Sequence, residues 1–296
     1  MKQLISKLDQ LADLSPRETW RLVKGRLPVL RNRAGWTAMD LLGSPKHRNG
    51  IRFAELLMRQ EAILDRQIGW KPLDFDGARV VEIGCGPLAG YGPLAIFRGA
   101  ASFESADPEW DADLFDSESI ARKYLYVMHA DLVALYGERM DFAAFRSALR
   151  EKITVHRSGF DTAHLKGDAD IVLSQSCLEH VFPLEGTIAK LADIQRPKTR
   201  FLHLVDFGNH YLTENPFEGL YEQPPDVYIS RRGKAINLLR SNDVAALFEK
   251  HRIPEHTVPS RIVGEGYPGA IHTWWRERYD DRALFTQLAL IAGPAG

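Results

Sequence analysis

Short apolar stretches alternate with amphipathic stretches from residue 78 onward. Seven stretches have the length and β-branched or aromatic content of strands: "ARVVEIG", "ASFESAD", "KITVHRS", "ADIVLSQ", "TRFLHLVDF", "TVPSRIVG" and "LFTQLALIAG". Between several of them, apolar residues recur at helical spacing, as in "SIARKYLYVMHADLVALYG", "FAAFRSALREK", "LEGTIAKLADIQ" and "SNDVAALFEKHR", the last with Ser241 as its expected N-cap. This alternation predicts an α/β fold with a Rossmann-like, doubly wound, mainly parallel seven-stranded sheet. The last two strands have no helical stretch between them, which permits an antiparallel edge hairpin.

The first 70 residues have the pattern of helices. Ser15 and Pro16 form a helix-start signal that Glu18 completes as a capping box, and "GIRFAELLMRQEAILDRQIG" has a second helical pattern. We therefore expect an N-terminal helical extension over 1–70 and a main domain over 71–296. The main domain would carry a helical insertion at 111–150 and a lid or acceptor loop at 210–240. The N-terminal helices suit packing on this domain or a homodimer contact.

Composition excludes several classes of protein. Apolar residues make up 45% of the 296 residues, so the chain can bury a full core. Two cysteines are too few for a disulfide framework or a zinc site of cysteines. The chain has no apolar run of transmembrane length and no secretory signal at its start, so a cytoplasmic location is expected. The net charge of −1 conceals a basic segment at 1–70, which suits either an anionic partner or a solvated helical face.

The loop after the first strand, in "VVEIGCGPLAGYG", is the strongest candidate for chemistry. Gly84, Gly86 and Ala89 match the G-x-G-x-x-G/A pattern of dinucleotide-binding loops, and Asp107 follows the next strand. Such a loop can hold the pyrophosphate of a dinucleotide. It can also hold the amino-acid and ribose portions of S-adenosylmethionine, because glycine lets the backbone approach a ligand closely.

Two neighbours of the glycines favour S-adenosylmethionine. Glu82 places a carboxylate beside the loop, which is unfavourable next to two phosphates but tolerable next to a sulfonium and an ammonium. Pro87 stands at the expected first helical position and lacks an N–H that a pyrophosphate would use. Asp107 is then a candidate acceptor of hydrogen bonds from the ribose hydroxyls.

Further motifs follow in order along the chain. "VVEIGCGPLAG", "ESADPEW", "GFDTAH", "DADIVLSQSCLEHV" and "RFLHLVDFGNHY" together resemble the successive motifs of class I S-adenosylmethionine-dependent methyltransferases, over roughly residues 78–294. Within that superfamily, "GCGP", the helical insertion and "LVDFGNH" are similar to methyltransferase-domain proteins associated with bacterial polysaccharide and glycan biosynthesis. One departure is "RPKTR", which stands where the family often has a Pro-Gly-Gly turn before the fifth strand.

The resemblance implies a set of co-substrate contacts. Phe160 or Asp161 matches the position that meets the adenine, and Gln175 with Ser176 matches the segment along the methionyl portion. Glu179 and His180 match the "LEH" turn of the family. The predicted S-adenosylmethionine-binding residues are Glu82, Gly84, Cys85, Gly86, Asp107, Pro108, Phe160, Asp161, Gln175 and Ser176.

Candidate catalytic residues follow the fifth strand in "HLVDFGNHY". Ligands gather at the carboxyl ends of parallel strands, so Asp206 and His210 should lie near the methyl donor. We expect His210 to be the general base, oriented by Asp206, with His180 as the rival base and His203 as a structural residue. A divalent cation on His203, Asp206 and His210 is a less favoured alternative, because this spacing matches no strong metal signature.

The acceptor class follows from motifs that the chain lacks. "SQSC" after the fourth strand is not the Asx-Pro-Pro-aromatic motif of adenine-amino methyltransferases, and Cys177 is not in the Pro-Cys setting of cytosine C5 enzymes. Nucleic acid is therefore disfavoured, and a small-molecule or glycan hydroxyl is the expected acceptor. Aromatic residues of the 210–240 loop would either stack on that acceptor or pack the loop down: Tyr211, Phe217, Tyr221 and Tyr228. Arg231 and Arg232 of the same loop would either meet a phosphate or carboxylate or be solvated. The adjacent Trp274 and Trp275 would close the same pocket or contact a second chain.

Two other classes stay open at this point. A nicotinamide-dependent oxidoreductase fits the glycine pattern alone. A catalytically silent methyltransferase-like protein, acting as a partner or scaffold, fits all of the motifs. Binding of S-adenosylhomocysteine without binding of NAD would exclude the oxidoreductase, and turnover would exclude the silent protein.

Overall fold

A computed structural model describes residues 37–43, 45–210, 213–264, 267 and 269–294. The predicted capping box at Ser15 and Glu18, with the helix that it begins, lies outside the described residues. So does Tyr211 of the predicted acceptor loop.

The seven predicted strands form one mixed sheet. The strand order is β3-β2-β1-β4-β5-β7-β6. Strands β1 to β5 pair in parallel, whereas β7 is antiparallel to both β5 and β6. The prediction of a doubly wound, mainly parallel sheet with an antiparallel edge is confirmed. The strands are β1 Arg79–Ile83, β2 Ser102–Ala106, β3 Ile153–His156, β4 Ala169–Gln175, β5 Gln195–Asp206, β6 His256–Ile262 and β7 Thr286–Gly293.

Helices connect most of these strands. Five of the predicted helical stretches are found with bounds within a few residues of those expected. A π-helical turn, Ala121–Leu125, joins α5 to α6, and single 3-10 turns cover Phe160–Thr162 and Leu178–His180. The described helices are α1 Ala38–Leu42, α2 Pro45–Arg48, α3 Arg52–Ile68, α4 Gly92–Phe97, α5 Glu118–Ile120, α6 Tyr126–Tyr136, α7 Phe142–Lys152, α8 Leu184–Ile194, α9 Pro225–Arg232, α10 Ser241–Lys250, α11 Thr273–Arg276 and α12 Asp281–Phe285.

Helices cover both faces of the sheet because successive strand residues point to opposite sides. Val80 packs in a cluster with apolar residues of α3, α4, α6 and α7, whereas its neighbour Val81 packs in a second cluster with residues of α8 and α10. Burying one such side chain fully stabilises the fold by about 1.5–3 kcal/mol. Ala38 and Leu42 of α1 join the first cluster, so the described part of the N-terminal segment shares the core of the sheet.

Two local expectations need correction. Helix α10 is capped by Arg240, not by Ser241, because the Asp243 carboxylate accepts the Arg240 N–H at 2.7 Å and Ser241 is already the first helical residue. The connection between β6 and β7 is also not a simple hairpin. It contains α11 and α12, although the two strands do pair antiparallel.

The predicted acceptor loop is more ordered than its irregular pattern indicated, since it contains α9. Its aromatics Phe217, Tyr221 and Tyr228 are almost completely buried, so they pack the loop down and are not free to stack on an acceptor. They belong to a hydrophobic group that we call the aromatic cluster: Phe217, Leu220, Tyr221, Tyr228, Ile236, Leu238, Trp275, Leu284 and Phe285.

A buried arginine ties the aromatic cluster to the end of β5. Arg240 is 1% exposed, and its guanidinium donates to the Phe207 carbonyl and the Tyr221 hydroxyl, each at 2.9 Å. The Tyr221 hydroxyl in turn donates to the Leu284 carbonyl. Within the described ranges, no helix has both the length and the apolar character that a membrane crossing requires.

Candidate functional site

The strand order reverses between β1 and β4, and this reversal leaves a crevice at their carboxyl ends. From β1 the sheet continues through β2 to β3, and from β4 it continues through β5 to the antiparallel edge. In open α/β sheets, ligands bind in the crevice at such a topological switch point. A cavity of about 650 Å³ lies here, lined by residues that follow β1, β2 and β4.

This cavity brings together ten residues from four separate stretches of sequence. All of the residues that the sequence predicts for S-adenosylmethionine line it: Glu82, Gly84, Cys85, Gly86, Asp107, Pro108, Phe160, Asp161, Gln175 and Ser176. Their roles as ligands stay predictions, but their convergence on one cavity is a property of the fold.

The two glycines of the loop serve different needs. Both have positive φ values, 72° for Gly84 and 64° for Gly86, which side-chain-bearing residues rarely adopt. A Cβ on Gly84 would collide with the Cys177 sulfur, so close packing against the loop after β4 requires glycine there. A Cβ on Gly86 would meet nothing within 4 Å, so the space beside this residue is open. Because Gly86 lines the cavity, the lack of a side chain there leaves its backbone accessible to a ligand.

Two carboxyl groups, those of Glu82 and Asp107, accept hydrogen bonds from backbone N–H groups and hold this loop in place. Glu82 is 1% exposed, and its Oε2 accepts the Tyr91 N–H at 2.9 Å. Burial raises the pKa of Glu82 well above its usual range. The Asp107 carboxylate accepts the N–H groups of Gly86 and Glu109 at 2.6 and 2.7 Å. Both acids therefore shape the loop in addition to facing the cavity.

The objection that Pro87 raised against a pyrophosphate does not hold. Helix α4 begins at Gly92, so Pro87 lies in a turn and is not the first helical residue. The charge objection rests on Asp107 and Asp161, because burial raises the pKa of both Glu82 and Glu109 and so disfavours their charged forms. Among the described residues that line the cavity, Glu82, Asp107, Glu109 and Asp161 are acidic, whereas Arg52 is the lone Lys or Arg.

Helix α3 contributes to the cavity, which the sequence did not reveal. Arg52 and Phe53 line it from the N-terminal segment. Farther along α3, the Gln60 amide donates to the Gln175 carbonyl oxygen at 2.8 Å, and the Tyr91 hydroxyl donates to the same oxygen at 3.0 Å. An arginine and a glutamine in an amphipathic helix give no signal in sequence that distinguishes them from surface residues.

Four polar side chains meet beside the cavity, next to His180, and we call them the Glu/His cluster: Glu179, His180, Asp206 and His210. His180 lines the cavity, and its ring centroid lies 4.8 Å from that of His210. His210 Nε2 lies 3.9 Å from both Glu179 Oε1 and Asp206 Oδ2. The structure thus places both predicted base candidates next to each other.

Two hydrogen-bonded connections hold the first half of this cluster. The Asn237 side chain donates to the carbonyls of Leu178 and Val181, and the Asn237 N–H donates to the Glu179 carbonyl. His180 Nδ1 donates to the Ala235 carbonyl at 2.7 Å, which leaves Nε2 as the nitrogen with a free lone pair. Partial burial lowers the pKa of His180 below its usual value.

Glu179 is the buried member of the cluster. It is 3% exposed, its Oε1 accepts the Asp206 N–H at 3.3 Å, and its Oε2 is buried without a hydrogen-bond partner in the described structure. Burial raises the pKa of Glu179 to about 8. In the sequence Glu179 stands out only as part of the "LEH" turn, because nothing in the sequence shows that β5 covers it.

The relation of Asp206 to His210 is looser than a hydrogen bond between side chains. His210 Nε2 donates to the Asp206 backbone carbonyl at 3.3 Å, while the Asp206 carboxylate accepts the Gly208 N–H at 2.9 Å. His210 itself has a positive φ of 58°. Such strained conformations concentrate at functional sites, but orientation of His210 by the Asp206 carboxylate stays a prediction.

His203 is a core residue and not part of this cluster. It is fully buried, its Nδ1 is hydrogen-bonded to the Ser174 hydroxyl at 2.9 Å, and its ring stacks on Phe201. Burial lowers the pKa of His203 to about 3. Its Nε2 is buried without a hydrogen-bond partner, and no group of candidate cation ligands among the described residues includes His203. Among the described residues, the group that can share a cation is Glu179, His180 and His210, with one ligand atom from each within 4.8 Å of the others.

Solved structures resemble the chain at a low level. An S-adenosylmethionine-dependent methyltransferase from Mesorhizobium loti is 15% identical, with a TM-score of 0.41 over 74% of this chain and 92% of its own. A geranyl diphosphate methyltransferase in complex with S-adenosylmethionine is 15% identical, with a TM-score of 0.42 over 89% and 97%. Both likenesses are too distant to carry an argument about function. No family model matches the chain, and no curated protein is significantly similar to it.

Proposed function

We propose that this protein is an S-adenosylmethionine-dependent methyltransferase that holds its co-substrate in the switch-point cavity. One observation carries the proposal. Ten residues, predicted from four separate motifs to bind S-adenosylmethionine, line a single cavity at the position where α/β sheets bind ligands.

The lining residues fit the parts of this co-substrate. The Asp107 carboxylate would accept hydrogen bonds from the ribose hydroxyls, and Phe160 with Asp161 would flank the adenine. The open space over Gly86 leaves room for the ligand against the backbone. Gln175 and Ser176 would line the methionyl portion. S-adenosylmethionine supplies an electrophilic methyl group on a positively charged sulfonium, which an acidic cavity tolerates.

The acidic surroundings also argue against the oxidoreductase alternative. A dinucleotide would bring two phosphates next to Asp107 and Asp161 in a cavity whose lone Lys or Arg among the described lining residues is Arg52. Like charges at close range weaken such binding considerably. Turnover with a methyl acceptor separates the proposed enzyme from the catalytically silent alternative.

We propose a hydroxyl group of a glycan, sugar or other small metabolite as the acceptor, and no nucleic acid. The Glu/His cluster lies beside the cavity and offers Asp206 and His210 as groups that receive the acceptor proton. Methyl transfer is an in-line displacement, in which the acceptor oxygen forms the C–O bond as the C–S bond breaks. A role in polysaccharide biosynthesis rests on the motif resemblance alone. The cytoplasmic location and the homodimer through the N-terminal helices likewise stay predictions.

Titration calorimetry with the full chain tests the proposed co-substrate. We expect S-adenosylhomocysteine to bind once per chain with a dissociation constant in the micromolar range or below, and NAD to show no binding at the same concentrations. Tight binding of NAD without binding of S-adenosylhomocysteine would overturn the proposal.

The role of the Glu/His cluster is tested by His210→Ala. We expect turnover at saturating acceptor to fall by about 10²–10⁴-fold, the usual contribution of a group that handles a proton in the transition state. The affinity for S-adenosylhomocysteine should stay within about threefold, because His210 is not among the cavity-lining residues. The exposed His256→Ala is the matched control, and unchanged turnover in His210→Ala would exclude His210 from the reaction.

A further inference from the structure

The Glu/His cluster has an arrangement that a proton-transfer role does not explain. Glu179, His180 and His210 come from a 3-10 turn after β4 and from the segment after β5, yet one ligand atom from each lies within 4.8 Å of the others. A tetrahedral cation with bonds of about 2.1 Å separates its ligand atoms by about 3.4 Å, so side-chain adjustments on the order of 1 Å would complete such a site.

The environments of Glu179 and His180 suit coordination, whereas His210 Nε2 would exchange its 3.3 Å hydrogen bond to the Asp206 carbonyl for the cation. The Glu179 carboxyl is buried, its Oε1 lies 3.9 Å from His210 Nε2, and its Oε2 has no hydrogen-bond partner in the described structure. A buried carboxyl oxygen without a partner is costly unless something binds it. His180 donates from Nδ1 to the Ala235 carbonyl, the outer hydrogen bond that orients metal-binding histidines and leaves Nε2 to the cation. The segment around Asn237 fixes the backbone of both residues.

We propose that Glu179, His180 and His210 bind a divalent transition-metal cation at the edge of the cavity. Two imidazoles and one carboxylate select Zn²⁺, Mn²⁺ or Fe²⁺ over Mg²⁺ and Ca²⁺, which prefer all-oxygen sites. Three protein ligands leave at least one coordination position open, and His180 places that position next to the cavity.

A consequence for catalysis rests on the proposed function. The open position would take the acceptor hydroxyl and lower its pKa, as bound cations do for water. The O–H proton would then pass to the Asp206 carboxylate, and the oxygen would attack the methyl carbon while the C–S electron pair returns to sulfur. In this arrangement His210 is a ligand and Asp206 receives the proton.

Metal binding is measured on the full chain without any co-substrate, so that its failure is independent of the proposed function. The protein is stripped with a chelator and titrated with ZnCl₂, MnCl₂ and MgCl₂ by calorimetry, and bound metal is counted by mass spectrometry after dialysis. We expect one Zn²⁺ or Mn²⁺ per chain. Affinity should fall at least tenfold in both His180→Ala and His210→Ala and be unchanged in the exposed His256→Ala.

Glu179→Gln tests the buried ligand, and thermal unfolding of every variant identifies any that fails to fold. The two histidine variants remain informative in that case, because both side chains reach solvent. Zinc binding that neither histidine variant weakens would overturn the proposal, as would binding of Mg²⁺ with no preference for Zn²⁺ or Mn²⁺, or no binding at all. A chain that binds S-adenosylhomocysteine but no metal would refute this inference and leave the proposed function standing.

Discussion

The two sides of the cavity are built in different ways. The glycine-loop side, around Gly84, Gly86 and Asp107, consists of residues within a few positions of the ends of β1 and β2. The Glu/His cluster side brings together turns after β4 and β5 and depends on the 235–240 segment to hold them. The glycine-loop side is therefore formed by residues next to the strand ends, whereas the Glu/His cluster side is assembled from segments that are distant in sequence.

Because the two sides are held by different interactions, substitutions should disturb them to different degrees. Backbone conformation and two buried acids shape the glycine-loop side, so it should tolerate changes elsewhere in the chain. Side-chain hydrogen bonds to backbone carbonyls hold the Glu/His cluster side, and each of these contributes only about 1 kcal/mol. The cluster side should therefore be the more easily disturbed of the two.

The largest effect is expected from Arg240→Met, which removes the buried connection between the aromatic cluster and the end of β5. The Phe207 carbonyl and the Tyr221 hydroxyl lose a charged donor, so the free energy of unfolding should fall by about 2–4 kcal/mol. Urea unfolding measures this loss. Affinity for S-adenosylhomocysteine should stay within about threefold, because Arg240 does not line the cavity.

Arg231→Met is the matched control for that change, since Arg231 is exposed on α9. It should alter stability by less than about 0.5 kcal/mol. Equal losses in the two variants would show that the buried arginine does not hold the Glu/His cluster side.

Asp107→Ala should disturb the opposite side. We expect the affinity for S-adenosylhomocysteine to fall by about 10–100-fold, the range for losing hydrogen bonds to a charged acceptor. Calorimetry measures the change, with the exposed Asp113→Ala as the control. Circular dichroism should show an intact fold. Retention of full affinity would remove Asp107 from the proposed ribose contact.

His203 makes β5, the strand beneath the Glu/His cluster, sensitive to acid. Burial lowers its folded pKa to about 3, below the value of about 6.5 in an unfolded chain, so the unfolded state binds more protons between these values. This group's contribution is fully present above pH 6.5 and is lost as the pH falls towards 3. The slope should reach at most about 1.4 kcal/mol per pH unit.

Comparison with His203→Gln isolates this contribution. Urea unfolding at several pH values between 7 and 4 should show wild-type stability falling more steeply than that of the variant. His256→Gln provides a control for an exposed histidine. Parallel curves for wild type and His203→Gln would contradict the assignment.

The smallest effect concerns the link between α3 and the glycine-loop side. Gln60→Ala removes the 2.8 Å hydrogen bond to Gln175, and the free energy of unfolding should fall by about 1 kcal/mol. Pairing it with Gln175→Ala in a double-mutant cycle gives the coupling between the two amides. Additive effects within about 0.3 kcal/mol would mean that α3 does not support the cavity through this contact.

The sheet and the glycine-loop side could be predicted because their signals are local. Strand alternation, helical spacing and short motifs at strand ends all act within a few residues, as the stretch from Val80 to Gly92 shows. The helix start at Gly92 escaped prediction because the turn around Pro87 has the same composition as a helix N-terminus.

The Glu/His cluster side and the 210–240 loop were less predictable, because burial of their residues depends on contacts with distant segments. Tyr221 and Tyr228 share the aromatic cluster with Trp275 and Phe285, which follow more than 40 residues later in the sequence. Glu179 is buried because β5 runs beside its turn. His203 and His210 are seven residues apart, yet one lies in the core and the other is exposed next to His180.

The central claim is that the co-substrate occupies the glycine-loop side with its sulfur directed at the Glu/His cluster. A crystal structure of the full chain with S-adenosylhomocysteine tests it directly. We predict ribose hydroxyls within hydrogen-bond distance of the Asp107 carboxylate, adenine beside Phe160, and the sulfur on the side of His180. A ligand bound outside this cavity, or with its sulfur turned away from His180, would contradict the account.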